Sequence, residues 1–295
     1  MALALAGMAL LWLFLRGHGP GALPRRPLLP DLARSNEEAL RSLQEELLAF
    51  ISGRSGEFHL YYKDLGSGCS LGIRDREEVR AASLVKLPLV LYLHEQAAQN
   101  QLDLRERVAY DPDRDYRTGA GILQYTAREG DTYSLRTLAT LSIVLSDNVA
   151  TAMLFRRLGR ENVAAFMKRL GGEVTLPEGR NVTTARDMAR YAEEAYRFAR
   201  RNPELGRRFL DDLAHSIYHT GLPGKLPPSL TVAHKEGLIE GLAGDAGIVF
   251  ADPSPYVLSV IIEGIRDVDG AFSDIAGISR LVYDFHRSRR LRSCS

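Results

Sequence analysis

Apolar and polar positions along the chain change their period twice, from β-type to helical and back to β-type. Residues 57–64 have strand composition, and the Gly-rich residues 65–68 separate them from a short returning segment at residues 69–73. This pattern predicts a β-hairpin. Before it, Ser35 and Glu38 form a capping-box pattern followed by an apolar stripe of leucines, which predicts a helix.

Helical periodicity dominates the middle of the chain, and the last third returns to strands. Predicted helices cover residues 83–98, 134–145, 149–158, 162–170, 184–200 and 203–215. Predicted strands cover residues 230–235, 245–251 and 255–263, with connections at 237–244 and 252–254 and a closing helix at 271–287. Strands from both ends most simply form one antiparallel sheet flanked by the terminal helices, with an all-helical region inserted.

We therefore expect an α+β fold with a single domain over residues 31–295. Its α/β part is predicted at about residues 31–86 and 220–295, and its all-α part at about residues 87–219. A chain of 295 residues is long enough for one such domain with a sizeable core.

The apolar helix predicted from residue 83 carries two polar residues at its start, Ser83 and Lys86. Because they are three residues apart, they share one face of a helix. A lysine is costly to bury without a task or a partner, and a serine at a helix N-terminus lies where the dipole favours developing negative charge. The pair is therefore a candidate nucleophile with its base.

Two further elements accompany this Ser-x-x-Lys pattern. Ser146-Asp147-Asn148 falls at the break between two predicted helices, and Lys235 and Gly237 enclose Glu236 at the end of a predicted strand. In order and in context, the three elements match the Ser-x-x-Lys, Ser-Asp-Asn and Lys-Thr-Gly elements of penicillin-recognising enzymes.

On these motifs the chain resembles the class A β-lactamase and DD-peptidase family, from about residue 35 to 285. The resemblance implies a five-stranded antiparallel sheet flanked by helices plus an all-α subdomain. It implies that Ser83 is the acylated nucleophile and Lys86 the general base. Ser146 and Lys235 would then relay the proton to the leaving group.

The same resemblance implies the groups that bind the substrate. Asn148 would hold the amide carbonyl of the substrate, and the oxyanion would lie between the backbone N–H groups of Ser83 and Leu238. Gly237 would line the site on the same strand. Tyr116 is a further candidate for the cleft, by its position alone.

One departure from the family concerns deacylation. Class A enzymes carry a Glu in a long loop that activates water against the acyl-enzyme, whereas here the corresponding loop is shortened to residues 171–181. Glu178 is the candidate for that role, but we favour a solvated loop charge at this position. A long-lived acyl-enzyme with penicillins is therefore expected.

The second departure is Glu236, where the family usually has Thr or Ser to help bind a substrate carboxylate. A glutamate there would repel a carboxylate by ~1 to 4 kcal/mol, depending on the local dielectric. Either Glu236 turns away and pairs with Lys235 or an arginine, or the natural substrate lacks that carboxylate.

Composition excludes some functions and suggests a location. The net charge is +1, which gives no support for nucleic-acid binding. Residues 1–15 are almost wholly apolar, so residues 1–30 are expected to be an export or membrane-anchor segment with a Pro-rich linker, and the domain is expected to be extracytoplasmic.

A bridge between Cys69 and Cys294 is not expected, because the second cysteine lies in a tail expected to fray.

Three functions remain open on the sequence. The first is slow or lasting acylation of Ser83 by β-lactams or by D-Ala-D-Ala-like amides and esters of cell-wall peptides. The alternatives are true class A β-lactam hydrolysis and a non-catalytic receptor for penicillin or wall fragments. No metal or organic cofactor is implied, since His215 and His219 lack a third ligand, and a monomer is expected.

Overall fold

A five-stranded antiparallel sheet forms the centre of the fold. The computed structural model of the chain describes residues 29–174, 176–288, 291, 293 and 294. The strands of the sheet are β1 (Glu57–Asp64), β2 (Ser70–Ile73), β7 (Val232–Ile239), β8 (Leu242–Val249) and β9 (Tyr256–Glu263). Their order across the sheet is β2-β1-β9-β8-β7, so strands from both ends of the chain are neighbours, with Tyr61 opposite Ser259.

Short two-stranded pairs and helices complete the chain between these strands. The short strands are β3 (Val79–Arg80), which pairs with β6 (Val182–Thr183), and β4 (Arg107–Ala109), which pairs with β5 (Thr132–Ser134). The helices are α1 (Leu29–Ile51), α2 (Lys86–Ala98), α3 (Pro112–Asp115), α4 (Leu123–Thr126), α5 (Leu135–Val144), α6 (Asn148–Leu158), α7 (Arg160–Arg169), α8 (Ala185–Arg201), α9 (Pro203–Ala214) and α10 (Val268–Ser288).

Both faces of the sheet are covered, which explains why its strands are apolar on both sides. On one face, Tyr62, Leu258 and Ile275 belong to a core shared with the terminal helices α1 and α10. On the other face, Ala246 and Ile261 belong to a core that includes the inserted helices. The buried face of α8 packs across strands β1, β8 and β9 in this second core.

Several inserted helices begin at polar residues whose side chains cap them. Ser134 Oγ accepts a hydrogen bond from the Thr137 N–H at 3.0 Å, and Thr184 Oγ1 accepts one from the Asp187 N–H at 3.0 Å. Each side chain satisfies an amide that has no partner within its own helix. The starts of α5 and α8 are therefore set by single residues that the sequence displays.

The predicted fold class is confirmed, with corrections to element bounds. Strands β7 and β8 run through residues 237–244, which the sequence predicted as a connection, and only a tight turn at Gly241 (φ 75°) joins them. The glycines there indicated a loop, but Gly237 and Gly244 lie within the strands, where a Cβ at either position would come within 3.0 to 3.2 Å of Leu84.

The helix predicted from residue 83 is also corrected. A 3₁₀ turn over Ala82–Val85 precedes it, and the α-helix begins at Lys86. The first helix likewise begins at Leu29 and not at Ser35, so the capping-box pattern there does not mark its start.

The expectation about the cysteines was wrong, because Cys69 and Cys294 form a disulfide with a Cα–Cα distance of 5.0 Å. Helix α10 packs against α1 and returns the chain to the turn after β1. There the Cys294 N–H donates to the Ser67 carbonyl at 3.0 Å. The tail is therefore held by its last helix, a contact that sequence composition does not reveal.

Within the part of the chain that the structure describes, no helix combines the length and apolar character needed to cross a membrane. The segment expected to be an anchor, residues 1–15, lies outside the described residues.

Candidate active site

Ser83 lies on the 3₁₀ turn at the seam between the sheet and the inserted helices. The preceding residue, Ala82, has φ 48°, a left-handed conformation that is strained for a residue with a side chain. The Asn181 side-chain amide donates to the Ala82 carbonyl at 2.8 Å and so supports this conformation. Ser83 is half-buried and lines a cleft of about 770 Å³.

Lys86, one turn further on, is buried and points at the segment that joins α5 to α6. Its Nζ donates to the Ser146 carbonyl at 2.6 Å, to Ser146 Oγ at 3.1 Å and to Asn148 Oδ1 at 2.7 Å. The fold therefore brings the first two sequence motifs into direct contact. With three acceptors in place, the lysine side chain is fixed without needing a salt bridge.

Asp147 explains why this segment holds its shape. One oxygen of its fully buried carboxylate accepts the Ala150 N–H at 2.9 Å and so caps α6. The other accepts the Ile122 and Leu123 N–H groups at 2.7 and 2.9 Å, which ties down the loop before α4. Asp147 is thus a structural anchor that presents its two neighbours to Lys86.

The electrostatic surroundings of Lys86 suit a general base. Burial, and then the nearby charge of Lys235, lower the pKa of Lys86 to about 7, against the opposing charges of Glu236 and Asp147. Burial and a nearby like charge both disfavour the charged form of a lysine. A group with a pKa near neutrality exchanges a proton readily at physiological pH.

Lys235 is fully buried on strand β7 and pairs with its own neighbour. Its Nζ donates to a carboxylate oxygen of Glu236 and, at 3.1 Å, to the Glu236 carbonyl. The other carboxylate oxygen of Glu236 accepts the Ser216 hydroxyl at 3.1 Å. Burial lowers the pKa of Lys235, and Glu236 offsets part of that effect. The sequence left open whether Glu236 pairs with a cation or faces a substrate without a carboxylate. In the structure, the Glu236 carboxylate pairs with Lys235.

A second buried pair, His234 and Asp245, links strand β7 to the neighbouring strand β8. His234 Nδ1 lies 2.9 Å from both carboxylate oxygens of Asp245 on β8, and Asp245 also accepts the Leu222 N–H at 2.8 Å. Burial opposes protonation of His234, but the charge of Asp245 and its hydrogen bond outweigh it and raise the pKa of His234. His234 is therefore a strand-positioning residue.

Gly237 and Leu238 complete the strand edge next to Ser83. A Cβ on Gly237 would lie 3.0 Å from Leu84 Cγ and 3.2 Å from Ala82 Cβ, so glycine allows the strand to approach the Ser83 turn. Leu238 is exposed and lines the cleft together with Ile239. The cleft thus has an apolar wall on the side of the sheet.

Several predicted site residues do not line the cleft: Ser146, Lys235, Glu236 and Gly237 make the contacts described above, and Tyr116 and Glu178 lie elsewhere. Tyr116 is exposed, and its neighbours Arg117 and Thr118 line the cleft in its place. Glu178 is exposed, has φ 52° in the 3₁₀ segment Pro177–Gly179, and is likewise not among the lining residues.

Other residues of the site are not evident from the sequence. Asn181 ends the shortened loop and supports the Ser83 turn, while Ser216 lies just after α9 and binds Glu236. Both are distant in sequence from the motif residues that they contact, and single polar residues in loops carry no local signal. No set of three or more potential metal ligands occurs among the described residues.

A serine and a buried lysine one turn apart, between an antiparallel sheet and an all-α region, are the arrangement expected of an active-site serine hydrolase. The model of the beta-lactamase enzyme family matches residues 42–286. The chain therefore belongs to that family, whose members are serine hydrolases acting on amide bonds. The predicted resemblance is thereby confirmed.

Individual relatives agree with this assignment. The solved structure of PBP-A superposes with a TM-score of 0.76 at 28% identity, over 90% of this chain and 99% of that one. A PBP-A variant was solved as its acyl-enzyme with penicillin G, at 27% identity, a TM-score of 0.75 and 90% and 100% coverage. A beta-lactamase from Sphaerobacter thermophilus shares the fold, with a TM-score of 0.73 at 21% identity over 86% of this chain and 98% of that one.

A curated relative matches over a shorter stretch. Beta-lactamase SME-1 of Serratia marcescens is 30% identical over 134 residues, which is 45% of this chain. The match spans 42% of the length of that enzyme.

Proposed function

We propose that the protein is an acyl-transfer enzyme whose Ser83 is acylated by β-lactams or by D-Ala-D-Ala-like amides and esters. The observation that carries the proposal is the placement of Lys86. It lies one turn from Ser83, is buried, has a pKa of about 7, and contacts both Ser146 and Asn148. An uncharged amine in that place can take the proton of a serine hydroxyl.

The proposed acylation step uses these contacts in sequence. Lys86 accepts the Ser83 proton while Ser83 Oγ forms a bond to the carbonyl carbon of the substrate. The carbonyl oxygen becomes an oxyanion, which the backbone N–H groups of Ser83 and Leu238 stabilise. When the C–N bond breaks, the leaving nitrogen receives a proton through Ser146 Oγ, which lies 3.1 Å from Lys86 Nζ. Lys235 supports this relay electrostatically.

Asn148 is proposed to orient the acyl part of the substrate. Its Nδ2 donates to the Thr118 carbonyl at 2.8 Å, while its Oδ1 accepts from Lys86. The amide is thus held at both ends beside the cleft. Its remaining N–H is then available for the amide carbonyl of the substrate.

We propose that deacylation is slow. The loop over residues 171–181 is anchored by buried Asp187, whose carboxylate accepts the Glu173 and Val174 N–H groups at 2.8 to 3.0 Å. The Glu173 side chain pairs with Arg76. Glu178 is exposed, and neither loop glutamate is among the residues that line the cleft, which supports the proposal that neither activates water against Ser83.

True β-lactam hydrolysis is the second candidate, and the match to beta-lactamase SME-1 favours it. Two assays separate it from lasting acylation. Our proposal predicts one equivalent of bound fluorescent penicillin per protein and only marginal turnover of a chromogenic cephalosporin. Rapid, continuous turnover would establish the second candidate. A complete lack of labelling would indicate a receptor without chemistry and would refute the proposal.

We also propose that the domain works outside the cytoplasm, tethered through residues 1–15. The disulfide between Cys69 and Cys294 supports this, because disulfides persist in oxidising compartments. Fractionation of cells that express the full chain tests it. Recovery in the membrane fraction, with the domain open to external protease, is the expected result, and recovery among cytosolic proteins contradicts it.

A further inference from the structure

The charged side chains that line the cleft are all basic. They are Lys86 and four arginines, Arg114, Arg117, Arg156 and Arg160. Over the whole sequence, Lys and Arg number 38 against 37 Asp and Glu, so this bias does not follow from composition. A cleft lined by one sign of charge raises the local concentration of oppositely charged ligands.

One of the four arginines is already neutralised. Arg156 donates from Nε and Nη2 to the two carboxylate oxygens of buried Asp115, each at 2.7 Å, and also to the Ala109 carbonyl at 2.6 Å. This bidentate pair joins α6 to α3 and fixes the cleft wall. Arg156 is therefore structural.

The other three arginines keep their charge available to a ligand. Arg114, Arg117 and Arg160 are exposed, and none forms an ion pair with a residue that the structure describes. Arg160 stacks over the Phe155 ring at 4.4 Å, and Arg117 donates to a backbone carbonyl at 2.6 Å. The nearby carboxylates of Asp113 and Glu161 are not among the cleft-lining groups.

The position of these arginines relative to Ser83 assigns them to one side of the substrate. In the proposed acylation step the leaving group departs towards Ser146, which passes it a proton with the support of Lys235, and neither of these residues lines the cleft. The cleft, which starts at Ser83 and Asn148, therefore receives the acyl part of the substrate and not the leaving group. On the leaving-group side, Glu236 already neutralises Lys235.

We propose that Arg114, Arg117 and Arg160 form a subsite for a carboxylate on the acyl part of the substrate. The preferred acyl donor is then an acidic peptide or amide. This inference rests on the proposed function, because it takes Ser83 as the point of attachment. Exposed ion pairs contribute modestly and are screened by salt, so the preference should weaken as ionic strength rises.

Two penicillins provide a matched pair of probes. Carbenicillin differs from benzylpenicillin by one carboxylate on the acyl side chain, and both carry the same ring carboxylate. We expect the wild-type protein to be acylated by carbenicillin roughly threefold to tenfold faster at low salt. The triple variant R114Q/R117Q/R160Q should lose this preference while it keeps its rate with benzylpenicillin.

The control variant R197Q/R208Q/R280Q carries the same change in net charge. Its three arginines form exposed i,i+4 ion pairs on other helices, so it should keep the wild-type preference. Equal rates for both penicillins in the wild type would overturn the subsite. An equal fall in the acylation rates of both penicillins in R114Q/R117Q/R160Q would also overturn the subsite, because it would place the charge recognition at the ring carboxylate. A loss of the carbenicillin preference in the control variant would overturn it as well.

Binding to the Ser83→Ala variant separates this inference from the proposed function. Calorimetric dissociation constants for the two penicillins need no acylation. If the wild type is never acylated, the proposed function fails, yet tighter binding of carbenicillin that depends on the three arginines still supports the subsite. Equal dissociation constants refute it.

Discussion

At the scale of single residues, acylation of Ser83 depends on the protonation of Lys86. Only its neutral form accepts a proton from Ser83, and burial together with Lys235 brings its pKa to about 7. Acylation by benzylpenicillin should therefore rise with pH, pass a midpoint near 7 and level off above it. Below the midpoint the rate should fall about tenfold per pH unit. Stopped-flow acylation rates between pH 5 and 9 check this.

A conservative variant serves as the control for the pH profile. Lys86→Arg keeps a positive charge at every accessible pH and should be inactive throughout. A flat wild-type profile, or a Lys86→Arg variant that is acylated normally, would show that another group is the base.

A second prediction at this scale concerns Glu236, whose carboxylate accepts a hydrogen bond from the Lys235 ammonium group. Glu236→Thr should free Lys235 for a ligand carboxylate and supply a hydroxyl beside it. The quantity to compare is the acylation rate with benzylpenicillin divided by the rate with the methyl ester of its ring carboxylate. This ratio should be about fivefold higher in Glu236→Thr than in the wild type, which corresponds to ~1 kcal/mol.

The ratio of the two acylation rates measures this effect and cancels any general loss of activity. An unchanged ratio in Glu236→Thr would contradict the role assigned to Glu236. The buried pair is lost in this variant, so its unfolding by urea is measured alongside the kinetics.

At the scale of elements, the close approach of β7 to the Ser83 turn is central. A methyl group at residue 237 would lie within 3.0 to 3.2 Å of Leu84 and Ala82. Gly237→Ala should therefore shift the strand from the turn, lower the acylation rate by about tenfold or more, and cost ~1 to 3 kcal/mol of stability. Acylation kinetics and urea unfolding of the same sample check both effects, and an unchanged acylation rate in the folded variant would contradict the expectation.

The elements also show what could be predicted from the sequence. Period and turn residues sufficed for the hairpin of β1 and β2 and for helices capped by Ser134 and Thr184, because these signals are local. They failed between residues 237 and 244, where Gly237 and Gly244 mark close packing between elements and only the turn at Gly241 interrupts the strands.

Some residues of the site could also be predicted from the sequence, and others could not. Ser83, Lys86 and the Ser146 segment stand out because each motif is contiguous and has a recognisable context, and the fold brings Lys86 and Ser146 into contact. The sequence does not point to Ser216, Asn181 or the arginine subsite. Their partners lie many residues away, so only the three-dimensional packing brings them together.

At the scale of the whole molecule, the two terminal helices and one disulfide close the outer face of the sheet. Cys294→Ser should lower the free energy of unfolding by ~2 to 4 kcal/mol, because the bridge closes a loop of more than two hundred residues. Acylation of Ser83 on the opposite side of the sheet should not change. Urea unfolding with and without a reductant measures this, and Cys69→Ser should match Cys294→Ser. Equal stability of the wild type in both conditions would show that the bridge contributes nothing.

Whether Ser83 is acylated is measured by the intact mass of the protein after incubation with benzylpenicillin, followed by peptide mapping. We expect one adduct with the full mass of the penicillin, located on Ser83, that persists after the free drug is removed and is absent from Ser83→Ala. An unmodified wild-type protein, or an adduct that also forms on Ser83→Ala, would contradict it.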